Sequence, residues 1–125
     1  MRLLLDTHIF LWAVMDDKRL KKEARRIMQS AQEVYVSAAS IWEISIKSAL
    51  GKLNADPAAL IAAIDDAGFL ALPISIEHAA AVANLAHHHA DPFDRMLIAQ
   101  SITEPLHFLT ADRELAAYSP LVLLI

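Results

Sequence analysis

The sequence predicts an α/β fold in which a parallel sheet is covered by helices on both faces. Short apolar runs, typical of buried strands, alternate with longer segments in which apolar residues recur at helical spacing. Strands that alternate with helices favour parallel pairing with crossover helices. The chain has 125 residues with only 2 Gly and 5 Pro, which fits one domain with short connections.

The first half of the sequence predicts two strands and four helices. The strands are the three leucines at 3–5 and the β-branched and aromatic run at 34–36. The helices are assigned from apolar spacing and from end signals. Gly51 follows one helix, and Asp56 before Pro57 is a typical start of the next. The expected helical bounds are 7–15, 18–31, 37–50 and 57–67.

The second half predicts three strands and three helices. The strands are expected at 69–72, 106–109 and 121–124, where short apolar runs occur. Ser75 is expected to cap one helix, and Asp91 followed by Pro92 at the first helical position is expected to start another. The expected helical bounds are 75–86, 91–102 and 113–118.

Composition excludes several classes of site and predicts a covered surface. The chain has no Cys, so disulfides, thiolate zinc sites and a cysteine nucleophile are excluded. Its formal net charge of −4 argues mildly against a nucleic-acid binder, which is more often basic. A hydrophobic fraction of 56% is high for a soluble domain, so we expect a partner or a dimer. The helix residues expected to supply this surface are Phe10, Leu11, Trp12, Val14, Trp42, Ile44 and Ile46.

The start of the chain resembles a signal peptide only briefly. Met1 and Arg2 precede three leucines, but Asp6 and His8 interrupt the apolar run. No apolar run reaches the ~18 residues of a membrane-spanning helix. We therefore expect a cytoplasmic protein without a membrane partner.

Four acidic residues near apolar runs are the strongest indication of function. Asp6 and Asp112 follow such runs, Glu43 lies two helical turns after another, and Asp94 precedes the apolar segment 96–99. If the runs are parallel strands, their carboxyl ends lie at the edge where open α/β sheets build their sites. Carboxylates meeting there repel one another unless a cation such as Mg²⁺, which prefers oxygen ligands, joins them. The sequence therefore predicts metal-assisted attack on a phosphodiester.

Each of these acids also has a purely structural explanation. Asp6 and Asp112 are suited to cap the helices that follow them. Asp94 would lie in the first turn of its helix, where the helix dipole favours negative charge, and Glu43 would close a capping box with Ser40. Independent caps need not be arranged around strand ends, whereas a metal site at a sheet edge requires that arrangement. The joint pattern therefore favours the metal site.

The acids lie within longer motifs that run in order along almost the whole chain. The motifs are Leu-Leu-Asp-Thr-His at 4–8 with Leu-Trp at 11–12, Ala-Ser-Ile-Trp-Glu-Ile at 39–44 followed by Gly-Lys-Leu at 51–53, His-Ala-Asp-Pro-Phe-Asp-Arg-Met-Leu-Ile-Ala-Gln at 89–100, and Leu-Thr-Ala-Asp at 109–112. Together they resemble PIN-domain ribonucleases of the VapC toxin type. The run of three histidines at 87–89 is the main local departure from the family pattern.

The resemblance implies a single PIN domain over residues 1–125, built as a three-layer α/β/α sandwich with strand order 3-2-1-4-5. It implies Mg²⁺- or Mn²⁺-dependent endonucleolytic cleavage of RNA by the toxin of a toxin–antitoxin pair, a homodimeric toxin and a cognate antitoxin that inserts near the active site. The acids it carries over to the metal site are Asp6, Glu43, Asp94 and Asp112. We expect Asp6 and Asp94 to be the principal ligands, with the other two bound directly or through water.

Two other functions are compatible with the sequence. One is a phosphatase or phospho-acceptor domain that uses Asp6, but Thr7 and His8 follow it where such sites usually place a second Asp. The other is a non-catalytic interaction module that keeps the PIN-like fold. The presence of all four acids does not favour a module that has lost its catalytic residues.

Several residues near the four acids have two possible interpretations each. Asp91 is expected to cap a helix first and to bind metal second, and Thr110 to hydrogen-bond a metal-bound water or to stabilise a turn. Arg95 and Arg113 are assigned either to substrate phosphate or to pairing with neighbouring acids. An exposed loop is favoured over a metal site for the histidines His87, His88 and His89.

Basic and aromatic residues outside the motif acids are assigned structural roles first. His8 is expected to pack beside the site, because hard cations prefer oxygen ligands. Six basic residues between positions 18 and 26 are favoured as a solvated helix face over a phosphate-binding strip. Trp12 and Trp42 are favoured as core or interface residues over platforms for stacking bases.

Overall fold

A computed structural model of residues 1–125 contains one sheet of five parallel strands. The strands are β1 (Arg2–Leu5), β2 (Glu33–Ser37), β3 (Leu70–Leu72), β4 (His107–Thr110) and β5 (Val122–Leu124). Their order across the sheet is β3-β2-β1-β4-β5, which confirms the predicted order. The first strand is therefore central, with Leu3 opposite Val34 on one side and His107 on the other.

Six α-helices and two short 3₁₀ helices connect the strands. The α-helices are α1 (Thr7–Val14), α2 (Lys22–Ser30), α3 (Ala38–Ala49), α4 (Pro57–Asp66), α5 (Ile76–Ala81) and α6 (Pro92–Thr103). The 3₁₀ helices are Val82–Asn84 and Arg113–Tyr118. No helix has both the length and the apolar character needed to cross a membrane.

Two predicted helices are shorter in the structure than in the sequence prediction. The helix expected from residue 18 begins only at Lys22, because Asp17 accepts hydrogen bonds from the backbone and guanidinium of Arg19 and holds a turn there. Lys18 therefore does not share a helical face with the basic residues of α2. The helix expected over 75–86 changes to 3₁₀ geometry after Ala81.

Alternation along the strands divides the core between the two faces of the sheet. Leu3 and Leu5 of β1 pack with α1, α2, α3 and α4 on one face, whereas Leu4 packs with α6 on the other. Phe108 and Leu109 of β4 alternate in the same way. Helices thus cover both faces, as expected for a parallel sheet and a three-layer α/β/α sandwich.

The start of α3 differs from the predicted capping box. Ser37 is the N-cap, and its hydroxyl accepts a hydrogen bond of 3.0 Å from the backbone N–H of Ala39. Glu43 consequently lies in the second helical turn, too far along to reach back to the cap. Ser40 instead hydrogen-bonds the hydroxyl of Thr7 at 2.8 Å and joins α3 to α1. The capping-box interpretation of Glu43 is therefore wrong.

Fewer of the residues named from the sequence are exposed than predicted, and other large apolar side chains, such as Leu50, Ile61 and Ile76, are exposed as well. Phe10, Leu11 and Ile44 are buried in the core and offer no surface. Trp42 is 59% exposed and Ile46 is 38% exposed, so part of α3 does present large apolar side chains to solvent. The prediction thus holds for one stripe of α3 and fails for most of α1.

Candidate metal centre

The carboxyl ends of β1 and β4, together with α3 and α6, bring all four predicted acids to one cleft. This cleft has a volume of roughly 400 Å³. It is lined by Asp6, His8, Trp12, Arg19, Glu43, Lys47, Asp91, Asp94, Ala111 and Asp112. The structure thereby fulfils the geometric condition for a shared site, and the assignment of the four acids as metal ligands stays a prediction.

Asp6 ends the central strand and is almost fully buried, with only 4% of its surface exposed. One carboxylate oxygen accepts from the backbone N–H of Thr7 at 2.8 Å, and the other accepts from the hydroxyl of Thr110 at 2.6 Å. Burial raises the pKa of Asp6 above its ordinary value, although both hydrogen bonds oppose the rise. Asp6 therefore caps α1 and belongs to the cleft at the same time.

Glu43 gives the clearest indication that the cleft suits a cation. Its Oε2 accepts a hydrogen bond of 2.6 Å from the ammonium of Lys47, one turn later in α3. Its Oε1 is buried and has no hydrogen-bond partner within the protein. A buried acceptor without a partner costs on the order of 1–3 kcal/mol, so such atoms usually have an unseen ligand or water. The hydrogen bond to Glu43 also raises the pKa of Lys47.

Asp94 lies in the first turn of α6, and its carboxyl group also has a raised pKa. Burial, together with the charges of Asp6, Asp91 and Glu43, raises its pKa to about 7. A hydrogen bond of 2.8 Å between Oδ2 and Nε2 of His89 opposes that rise. Such a rise is typical of carboxylates gathered in one partly buried cleft.

Asp112 joins the cleft from the turn after β4. Its backbone N–H donates to the hydroxyl of Thr110 at 3.0 Å, and its Oδ1 accepts from the backbone N–H of Glu114 at 3.0 Å. Thr110 is therefore bonded both to Asp6 and to the turn that carries Asp112. Of the two interpretations of Thr110, turn stabilisation has direct hydrogen bonds in its favour.

These residues fit a hard divalent cation. The donor set consists of carboxylate oxygens, which Mg²⁺ and Mn²⁺ prefer. Glu43 offers an oxygen without a partner, and the raised pKa values of Asp6 and Asp94 show that the cleft disfavours negative charge unless a cation offsets it. Asp91 accepts from the backbone N–H groups of Phe93 and Asp94, so its capping role is directly accounted for.

His89 is the residue of the site that sequence reasoning assigned wrongly. His87 and His88 are exposed, as expected for a solvated loop, but the His89 side chain is only 20% exposed. Its ring lies between two carboxylates, with Nε2 2.8 Å from Asp94 and Nδ1 3.0 Å from Glu114. The signal available in the sequence was its position five residues before Asp94, which does not by itself distinguish it from its two neighbours.

The two arginines beside the predicted ligands have different environments. Arg95 donates to the carbonyl oxygens of Ala86 at 2.8 Å and of Val82 at 3.2 Å, and to the hydroxyl of Tyr118 at 3.2 Å. It pairs with no acid, so that interpretation of Arg95 is wrong, and because it does not line the cleft, a contact with substrate phosphate has no support. Arg113 is exposed and forms no salt bridge or side-chain hydrogen bond.

Basic and aromatic side chains also line the cleft. The guanidinium of Arg19 lies 5.3 Å from the ring centre of Trp12, and His8 is exposed with its ring 6.1 Å from the same indole. Arg19 also forms a salt bridge with Asp17 at 2.7 Å. Trp42 lies outside the cleft and packs edge-on against Phe93 at 5.0 Å between ring centres. Trp12 packs partly against the core, whereas Trp42 is a surface residue.

Comparison with known proteins gives one family and several similar folds. The model of the PIN domain family matches residues 3–119. No curated protein matches the chain at a significant level. Among solved structures, VapBC2 from Rickettsia felis bound to a promoter DNA fragment is similar with a TM-score of 0.69 and 13% identity, over 100% of this chain and 98% of that one.

Two further structures are similar over nearly their whole length. A toxin–antitoxin complex from Klebsiella pneumoniae gives a TM-score of 0.67 and 18% identity, over 97% of this chain and 95% of that one. DNA-bound VapBC from Salmonella typhimurium gives a TM-score of 0.68 and 16% identity, over 100% of this chain and 97% of that one. At these identities the similarity supports the fold, while the match of the family model over most of the chain supports the family.

Proposed function

Because the chain belongs to the PIN-domain family of nucleases, we propose that it is a Mg²⁺- or Mn²⁺-dependent endoribonuclease whose metal centre is formed by Asp6, Glu43, Asp94 and Asp112. The observation that carries this proposal is Glu43. Its buried Oε1 lacks a partner in a cleft lined by three further acids of that set. A divalent cation supplies the charge that would satisfy this oxygen and the repelling carboxylates together.

The residues around the cleft have distinct roles in this proposal. Asp6 and Asp94 are the principal ligands, while Glu43 and Asp112 bind directly or through water and orient the attacking water. Thr110 fixes the carboxylate of Asp6 through its 2.6 Å hydrogen bond. When bound, the metal ion lowers the pKa of a water molecule and offsets negative charge on the scissile phosphate.

Positive charge in the lining of the cleft complements this centre. Lys47 lines the cleft and already offsets one oxygen of Glu43, which leaves the other oxygen available. The guanidinium of Arg19 is held beside the cleft by Asp17 and Trp12. These groups reduce the repulsion that a phosphodiester would otherwise meet in an acidic cleft.

The phospho-acceptor alternative has less support. A nucleophilic Asp must present a free oxygen to the substrate. Only 4% of Asp6 is exposed, which is enough for contact with a small cation but leaves little room for in-line attack by either oxygen on a phosphorus atom. The interaction-module alternative leaves the raised pKa of Asp94 and the orphan oxygen of Glu43 without a role.

The proposal extends to partners and cellular context. Two of the similar structures are VapBC proteins and a third is described as a toxin–antitoxin complex. We place this chain in the same role, as the toxin of a toxin–antitoxin pair that acts in the cytoplasm. Its single PIN domain spans residues 1–125, and it acts as a homodimer on RNA, inhibited by a cognate antitoxin that covers the cleft.

The test combines RNA cleavage with growth. Purified wild type should cut single-stranded RNA in Mg²⁺ or Mn²⁺ and not in excess chelator, and Asp6→Asn should be inactive while its circular dichroism is unchanged. Asp65→Asn, an exposed acid remote from the cleft, is the matched control and should keep full activity. Strong expression of wild type, but not of Asp6→Asn, should arrest bacterial growth. Cleavage that persists in chelator would refute the metal-dependent mechanism.

A further inference from the structure

One histidine connects the metal-site acid of α6 to an acid outside the set assigned above. Nε2 of His89 lies 2.8 Å from Oδ2 of Asp94, and Nδ1 lies 3.0 Å from Oε2 of Glu114. Asp94 has no other side-chain hydrogen bond, so its Oδ1 has no partner within the protein. The ring is thus placed between α6 and the 3₁₀ helix that follows Asp112.

The backbone around His89 is itself held in place. Its carbonyl oxygen accepts from the guanidinium of Arg95 at 3.4 Å and from the hydroxyl of Tyr118 at 3.3 Å. Arg95 also binds other carbonyl groups of the same loop. Hydrogen bonds therefore hold both the backbone of His89 and its ring. Such support restricts the ring to one orientation. Little conformational entropy of this side chain is therefore lost when a metal ion binds.

We propose that His89 is a positioning residue of the metal centre, which holds Oδ2 of Asp94 so that Oδ1 stays directed to the cation, with Glu114 fixing the other side of the ring. This inference rests on the proposed function. Outer groups that orient metal ligands in this way typically contribute 10–100-fold to metal affinity. The role differs from ligation, because both ring nitrogens are already bonded to carboxylate oxygens.

The hydrogen-bonding capacity of the ring supports the same assignment. A ring that donates from both nitrogens matches two carboxylate acceptors. The remaining histidines of the loop have no such acceptors, and His88 instead stacks edge-on against Tyr118 at 5.0 Å between ring centres.

The experiment compares Mn²⁺ affinity in variants of one loop. The dissociation constant is measured by electron paramagnetic resonance of free Mn²⁺ for wild type, His89→Ala, His89→Gln and the exposed control His87→Ala. We expect His89→Ala to bind 10–100-fold more weakly, His89→Gln to lose less because its amide keeps one donor, and His87→Ala to match wild type. Saturating Mn²⁺ should restore most of the RNA cleavage of His89→Ala.

A second variant keeps the test decisive if His89→Ala does not fold. Glu114 has a side chain that is 69% exposed, so Glu114→Gln should fold, and it should weaken Mn²⁺ binding several-fold, whereas the exposed control Glu77→Gln should not. Unchanged Mn²⁺ affinity in folded His89→Ala, or in Glu114→Gln when the former is unfolded, overturns the inference. Nitrogen hyperfine coupling to bound Mn²⁺ that disappears in His89→Ala would make His89 a ligand and also overturn it.

The outcomes separate this inference from the proposed function. If wild type neither binds Mn²⁺ nor cleaves RNA, the proposed function fails and the inference fails with it. If wild type does both and the His89 variants match it, only the inference fails.

Discussion

Ionising a single carboxyl group, that of Asp94, is costly in the folded protein. Asp94 is partly buried near Asp6, Asp91 and Glu43, and its raised pKa of about 7 means that ionising it in the folded protein is unfavourable. Burial of an ion without a partner is costly, and proteins relieve that cost by protonation or by a counter-ion. Without metal, protonation of Asp94 relieves the cost, and in the proposed function the metal ion acts as the counter-ion.

The pKa of Asp94 gives a prediction about stability and pH. The ordinary value is 3.8, and the folded value is about 7, so between these pH values the folded protein holds a proton that the unfolded chain has lost. The free energy of unfolding without metal should therefore fall as pH rises through this window, by on the order of 4 kcal/mol. Asp94→Asn should remove most of this dependence and make the metal-free protein more stable than wild type at pH 8.

Urea unfolding in chelator at pH 5 and pH 8 measures the part of this fall that lies above pH 5, which is on the order of 3 kcal/mol. The exposed control Asp66→Asn should keep the wild-type dependence. Added Mn²⁺ should stabilise wild type at pH 8 and stabilise Asp94→Asn much less, because preferential binding to the folded state is weakened. An equal gain in both proteins would show that Mn²⁺ binds elsewhere.

Thr110 gives a second prediction at the residue scale. Thr110→Val keeps the shape of the side chain but removes the hydroxyl that donates to Asp6 and accepts from the backbone of Asp112. Because Asp6 then has a buried oxygen without a donor, the free energy of unfolding should fall by about 1–3 kcal/mol in chelator. Thr103→Val, at an exposed helix position, is the control and should change it little. A loss in the control as large as that at Thr110 would refute the argument.

The sequence predicted the positions of those cleft residues that come soon after a strand. Asp6 and Asp112 follow strands directly, so the parallel arrangement brought them together as expected. The role of His89 was not predictable, because it depends on how the loop before α6 folds back towards Glu114. The orphan oxygen of Glu43 likewise depends on side-chain geometry that no spacing rule contains.

At the scale of elements, one arginine organises the irregular segment before α6. Arg95 projects from the first turn of α6 and donates to carbonyl groups from Val82 to His89. Buried or partly buried carbonyl groups need such partners when they are not in a helix or strand. The segment therefore has a defined shape without regular secondary structure.

Arg95→Gln should loosen this segment without unfolding the protein. We expect amide hydrogen exchange at positions 82–90 to accelerate by at least tenfold, while the exchange of β1 and β4 changes little, because local opening needs only the lost side-chain bonds. Arg113→Gln, which removes an arginine without hydrogen bonds, is the matched control. Uniform acceleration across the sheet would show that Arg95 supports the whole fold instead.

Secondary structure was predictable where local signals act alone. Asp56 with Pro57 and Asp91 with Pro92 start helices at the expected residues. The start of α2 was misplaced because the Asp17 turn competes locally with the helix for backbone hydrogen bonds. The five strands were found because each is an apolar run, and their order followed from the family resemblance and not from the runs themselves.

For the molecule as a whole, the exposed apolar side chains of α3 lead to a prediction about assembly. Wild type should be a dimer by light scattering, as the proposed function requires. Trp42→Glu should shift the molecule to a monomer, because a charge replaces an indole that is 59% exposed, while the melting temperature stays close to that of wild type. Ile76→Glu, at a position 85% exposed on α5, should leave the dimer intact. A dimer in both variants would exclude this stripe as the interface.

The central position of β1 also sets when the protein becomes active during its own synthesis. Asp6 receives its second hydrogen bond from Thr110, which is 104 residues later in the chain. At a synthesis rate of about 5–20 residues per second, those two residues are made roughly 5–20 s apart. Until β4 has been made and has paired with β1, a growing chain contains Asp6 and Glu43 but no complete cleft. Under the proposed function, every copy therefore passes through a period on the ribosome in which it lacks the complete set of acids, and products that stop before residue 110 never complete the cleft.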